Sequence, residues 1–323
     1  MMNEYIGHES QLYGVEEVRL VGGKGDGMRL LNVKNGNGLE FTVSADRCAD
    51  VSRLSFKGVN FGYFSPCGYV APAYYDAVGA GFLKSFTAGF LTTCGLTAVG
   101  SPCNDAGEDT PLHGTIGNTP AELVNYWTDD KAIHIIARIR DAQIFGRQLI
   151  LDREFYIPLD KNELTITDTV TNIGASEVPL QMLYHFNVGY PLLDENAILT
   201  IPSTEVTGRN DHATENLATW MKMEKPQADY EECCFYHKMS GNVEVKVYNP
   251  GLKKGLVMCY DADVLKYFTE WKMMGVHDYV LGIEPGNTLP DGRDVMRAKG
   301  LLETLAAGAK KTHSVTFRFT EEA

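Results

Sequence analysis

Apolar and polar residues alternate along much of this chain. Leu39, Phe41 and Val43 interleave with Glu40, Thr42 and Ser44, and Leu164, Ile166 and Val170 with Thr165, Thr167, Thr169 and Thr171. A period of two sends each set to its own face of a strand, so these runs read as strands with one wetter face. Similar runs occupy residues 133–140, 148–157, 178–187, 243–248, 264–271, 279–284 and 312–319. Glycine (32) and proline (13) punctuate them, with Asn35-Gly36-Asn37-Gly38 and Asn249-Pro250-Gly251 as turns. Residues 100–111 and 205–232 are polar and irregular and read as long loops, while residues 74–86 carry the weakest pattern and suit a short helix. Strand content far exceeds helix content, which predicts an all-β fold: a large antiparallel β-sandwich, as one domain over residues 1–323.

Composition narrows the function classes. Lysine and arginine total 29 against 42 aspartates and glutamates, a formal charge of −13, which argues against general attraction to nucleic acid or an anionic membrane. The N-terminal residues 1–8 lack a basic region followed by an apolar one, and no apolar run is long enough for a helical span, so a cytoplasmic protein is expected. The seven cysteines include no Cys-x-x-Cys pair, which favours free thiols over disulfides or structural zinc. The glycine cluster Gly22-Gly23-Lys24-Gly25-Asp26-Gly27 fits neither a Walker loop nor a dinucleotide fingerprint, since Met28 stands where the last glycine is needed; it reads as a turn.

Three segments carry candidate chemistry. In the first, Glu284 ends an apolar run and is followed by Pro285 and Gly286, with Gly282 leaving space beside it. In the second, strand alternation puts Gln181, Leu183, His185 and Asn187 on one face, opposite Met182, Tyr184 and Phe186. The third is Leu112-His113-Gly114. One carboxylate and two imidazoles suffice to shuttle protons without a cofactor. Each also has a plainer reading, a paired core histidine or a solvated strand-end carboxylate. Arg47, after the 39–44 strand, offers a planar fork for sugar hydroxyls or a surface pair with Asp46 or Asp50, and Trp271 offers either a stacking platform or core packing. Cys94 has no basic neighbour in sequence and reads as a small buried hydrophobe.

Together these segments resemble the aldose 1-epimerase (galactose mutarotase) superfamily, in a bacterial mutarotase-like branch. The resemblance covers nearly the whole chain. It is carried by Ala45-Asp46-Arg47, residues 91–96, Leu112-His113-Gly114 with Asn118-Thr119-Pro120-Ala121, residues 184–193, Trp271-Lys272-Met273-Met274 and Gly282-Ile283-Glu284-Pro285. It implies the galactose mutarotase-like supersandwich and an isomerase that interconverts α and β anomers of an aldose without metal or nucleotide. By the same resemblance His113, His185 and Glu284 are the catalytic residues, with Glu284 as base and His185 as acid; Gln181 and Asn187, on the strand face of His185, together with Arg47, Trp271 and Asn287, are the expected sugar contacts. Asn287, Pro290 and Asp291 follow Glu284 at spacings similar to the family's Gln, Pro and Asp. Two departures, Tyr184 for asparagine and Cys48 for an expected glycine, bear on sugar specificity. The expected partner is a monosaccharide, the expected assembly a monomer or homodimer, and the alternatives are a non-catalytic carbohydrate-binding protein of the same fold and a two-carboxylate glycoside hydrolase.

Overall fold

The computed structural model describes residues 4–322; Met1, Met2 and Asn3 of the N-terminal segment, and Ala323, lie outside the described residues. Three antiparallel sheets account for most of the strands. An eight-stranded sheet runs in the order Ala121–Thr128, Ala132–Ala142, Gln148–Pro158, Glu163–Asn172, Lys310–Thr320, Lys254–Asp261, Asn242–Asn249 and Ile198–Thr200. Facing the same core is a six-stranded sheet ordered Glu205–Gly208, Cys233–Lys238, Tyr267–Met274, Tyr279–Gly286, Gln181–Gly189 and Leu91–Leu96. A five-stranded N-terminal sheet, from Gly14–Arg19 to Val59–Asn60, completes the arrangement.

Alternation decides what each face of the six-stranded sheet meets. Met182, Tyr184, Phe186 and Val188 point into the main core, where the Phe186 and Phe317 rings lie 4.7 Å apart. Gln181, Leu183, His185 and Asn187 therefore occupy the opposite face. Tyr184, one of the two family departures, thus faces the core rather than the His185 side, and its hydroxyl donates to Asp168 Oδ2 (2.8 Å).

One guanidinium ties all three sheets together. Arg153 pairs with Asp50 and Asp168 (both 2.7 Å) and donates to Thr93 Oγ1 (2.8 Å) and the Cys48 carbonyl (3.1 Å). A buried charge is tolerated when its donors are matched in this way. Cys48 supplies that carbonyl from a left-handed conformation (φ 54°), which explains in backbone terms why glycine was expected there.

The irregular segments hold more structure than their composition indicated. Residues 100–111 contain a hairpin, Cys103–Asp105 with Glu108–Thr110, and residues 205–232 contain an edge strand and the short helix Asp211–Glu215. Residues 74–86 form no α-helix; the region has 3-10 turns at Pro72–Tyr74 and Gly81–Lys84.

Candidate active site

The register of five adjacent strands assembles the site. Tyr236 pairs with Thr269 and Thr269 with Glu284; on the other side His185 pairs with Thr92, and the Phe186–Ile283 pairing puts Glu284 beside His185. One row across the sheet thus reads Tyr236, Thr269, Glu284, His185, Thr92. The neighbouring row runs Cys234, Trp271, Gly282, Asn187. All of these positions share the face turned away from the main core.

His185 Nε2 lies 3.3 Å from Glu284 Oε1. His113 arrives from a loop and brings its ring centroid within 5.6 Å of that of His185. Its backbone is held at both ends: the amide donates to the Gly100 carbonyl (2.9 Å), and the carbonyl accepts from Gly95 (3.1 Å). Gly114 is obligatory beside it, at φ 71°, because a Cβ there would stand 2.3 Å from the Gly95 carbonyl oxygen. The three predicted catalytic side chains therefore converge. Their surroundings are nearly closed: Glu284 is 2% exposed and His185 5%. Phe86 and Trp271 pack against the His185 ring (5.3 and 5.2 Å), and Phe82 against His113 (5.2 Å).

Burial sets the proton affinities. It pushes the Glu284 carboxyl well above the usual carboxylate range, helped by the Glu232 charge and opposed by Arg209. It lowers the imidazoles, His185 to about 4 and His113 to about 3. Both directions favour a neutral Glu284–His185 pair with its single proton on the carboxyl. Several polar atoms here have no hydrogen-bond partner within the protein: Glu284 Oε1, Nδ1 of both histidines, Gln181 Oε1, Asn187 Oδ1 and Thr269 Oγ1. Buried polar atoms are rarely left unpaired, so this concentration on one face leaves the site with unused hydrogen-bonding capacity. No group of three or more His, Cys, Asp or Glu among the described residues is arranged to hold a metal ion.

The remaining predicted residues divide. Gln181 and Asn187 lie on the site face, each with one amide group engaged: Gln181 Nε2 donates to Thr288 Oγ1 (2.7 Å), and Asn187 Nδ2 to the His185 carbonyl (2.9 Å). Trp271 borders the site. Arg47 does something else: its Nε donates to the Gly117 carbonyl and its Nη1 to those of Val70 and Ser85, which makes it a brace for the segment carrying Phe82 and Phe86. Asn287 is likewise engaged by the scaffold on both sides of its amide. Its Oδ1 accepts from the Met182 amide (2.7 Å), and its Nδ2 donates to the Leu180 carbonyl and Glu303 (both 3.0 Å). Gly282 also needs correction: the space it leaves is filled by the protein, since a Cβ there would be 2.2 Å from Glu284 Oε1 and 2.9 Å from Trp271 Cβ.

Sequence reasoning missed Phe82, Phe86, Arg209 and Glu232, all in stretches with no period to read. Arg209 extends from the edge strand to Ser101 Oγ (2.9 Å) and the Pro290 carbonyl (3.2 Å), while Tyr236 donates to Asp291 (2.5 Å). The place of Arg209 inside the polar 205–232 run is the only signal that could have drawn attention to it.

Residues 25–319 match the family model described as a domain of unknown function, DUF4432. No curated protein matches the chain. Among solved structures, one described as a "putative aldose 1-epimerase" from Klebsiella pneumoniae is 27% identical and superposes with a TM-score of 0.91, covering 97% of this chain and 86% of that one. A galactose mutarotase-like protein from Clostridium acetobutylicum (14% identity, TM-score 0.71, 96% and 99% covered) shares the fold. So does a galactose 1-epimerase from Lactobacillus acidophilus (13%, 0.65, 96% and 100%). On this evidence the chain belongs to the DUF4432 family, within the aldose 1-epimerase (galactose mutarotase)-like superfamily and its carbohydrate-active fold.

Proposed function

We propose that the protein is an isomerase that interconverts the α and β anomers of a monosaccharide. The observation that carries this reading is the buried pair of Glu284 and His185, 3.3 Å apart, with His113 beside it. Moving the shared proton from Glu284 to His185 creates a carboxylate base and an imidazolium acid. Glu284 then takes the proton from the anomeric hydroxyl while His185 gives its proton to the ring oxygen, and the bond between C1 and the ring oxygen breaks. Rotation about C1–C2 and the reverse transfers close the other anomer, and the pair ends with the one proton it began with. His113 Nδ1, Gln181 Oε1, Asn187 Oδ1 and Thr269 Oγ1 offer hydrogen-bonding capacity to hold the sugar during opening. Trp271 contributes a flat apolar surface for a C–H face of the ring.

The chemistry needs only these side chains. Saturation-transfer NMR between anomeric protons, run over a panel of aldoses with and without protein, tests it: accelerated exchange of at least one sugar is expected. Binding of a sugar with no acceleration would instead mark a carbohydrate-binding protein of the same fold.

A further inference from the structure

We propose that Glu232 is a positioning residue of this site, holding the Trp271 indole against the His185 imidazole. The inference rests on the reading of His185 and Glu284 as the acid–base pair and adds a residue that touches neither. Trp271 stands in register between Cys234 and Gly282, on the face that carries the site. Its indole meets the His185 ring edge-on, with centroids 5.2 Å apart and planes at 72°. Its Nε1–H donates to Glu232 Oε2 at 2.7 Å. Glu232 is exposed and immediately precedes Cys233–Lys238, the second strand of the six-stranded sheet, so the bond ties the indole to the start of the neighbouring strand.

Three rings surround the imidazole: Trp271, Phe86 at 5.3 Å and His113 at 5.6 Å. Phe86 has no polar handle, and His113 Nδ1 has no partner within the protein. Trp271 is therefore the member of this cage whose orientation is set by a directional bond. The absent side chain at Gly282 lets the base of the indole sit flush, since a Cβ there would be 2.9 Å from Trp271 Cβ. An exposed hydrogen bond adds little to stability. Its effect lies in geometry, because proton transfer across the 3.3 Å gap to Glu284 depends on where the imidazole plane points.

Glu232 has a second, separable effect through its charge. The groups that act on Glu284 are His185 beside it, Arg209, Glu232, and the thiols of Cys94 and Cys234. Glu232 is the one among them that raises the Glu284 carboxyl beyond what burial does.

Two variants of the full chain separate the effects. In Glu232→Gln the amide oxygen still accepts the indole N–H but carries no charge, whereas Glu232→Ala removes both. For Glu232→Ala, anomer exchange should fall about tenfold in kcat with little change in KM. The Trp271 indole ¹H–¹⁵N resonance, assigned by its loss in Trp271→Phe, should move upfield. Glu232→Gln should restore the resonance and much of the rate, while the alkaline limb of the pH profile shifts to lower pH because Glu284 loses a negative neighbour. An unchanged indole resonance and wild-type-like exchange in Glu232→Ala would overturn the proposal. So would a Glu232→Gln variant as impaired as the alanine. If the wild type exchanged no aldose, the isomerase reading would fall, and the indole resonance in Glu232→Ala would still decide whether Glu232 holds Trp271.

Discussion

At the scale of single residues, the site works by placing a carboxyl and an imidazole where neither is easily charged. That arrangement fixes the pH dependence. As pH falls toward about 4, His185 gains a proton while Glu284 keeps its own, and the pair has no base left. As pH rises past the elevated Glu284 value, the pair loses its only proton and has no acid. Exchange plotted against pH should therefore be bell-shaped, with its acid limb well below the ordinary histidine value of about 6.5. An acid limb near 6.5 would show that the histidine is not held neutral by burial. Gly282 gives a sharper steric test. Alanine there would crowd Glu284 Oε1 (2.2 Å) and Trp271 Cβ (2.9 Å), and displacing the carboxylate should cost about 10²-fold in rate. Circular dichroism and the melting temperature should show the fold retained; full activity in Gly282→Ala would mean the carboxylate position is not critical.

At the scale of elements, strands explain what could be read from sequence and loops explain what could not. Alternation over 181–187 correctly separated Gln181, His185 and Asn187 from Tyr184 and Phe186, because a strand's period leaves only two faces to choose between. Nothing comparable constrains Arg47. Its residue type suits sugar hydroxyls as well as carbonyls, and its acceptors at 70, 85 and 117 are brought to it by loops. The hydrogen bonds of Asn287 were not legible for the same reason, since its spacing from Glu284 does not reveal which way its amide points. These bonds predict a scaffold phenotype for Arg47. Arg47→Met leaves three carbonyls without their donor and should lower unfolding free energy by about 2–4 kcal/mol, measured by urea denaturation. Hydrogen exchange should quicken around Phe82 and Phe86, which the brace supports. A loss of sugar affinity at unchanged stability would return Arg47 to the binding residues.

At the scale of the whole molecule, the fold keeps several titratable groups neutral in its interior. His113 and His237 are lowered to about 3 and His185 and His313 to about 4, burial being the leading cause for each. A lowered imidazole binds its proton more readily in the unfolded chain, so stability should decline as pH falls from about 6.5 to about 4 and level off below the folded values. His313 is the cleanest probe, 1% exposed, on a strand of the eight-stranded sheet and not on the site face, with neither ring nitrogen bonded. Its term amounts to about 3 kcal/mol at pH 4, so His313→Leu should flatten the acid decline in melting temperature. An equally steep decline in the variant would assign acid sensitivity to other groups. The fold as a whole holds Glu284 and His185 together from adjacent strands, and anomer exchange is the direct test of whether that pairing is catalytic. Saturation-transfer NMR on an accepted aldose should show wild-type exchange slowed about 10²–10⁴-fold by Glu284→Gln, with sugar binding retained; wild-type-like exchange in Glu284→Gln would contradict the account.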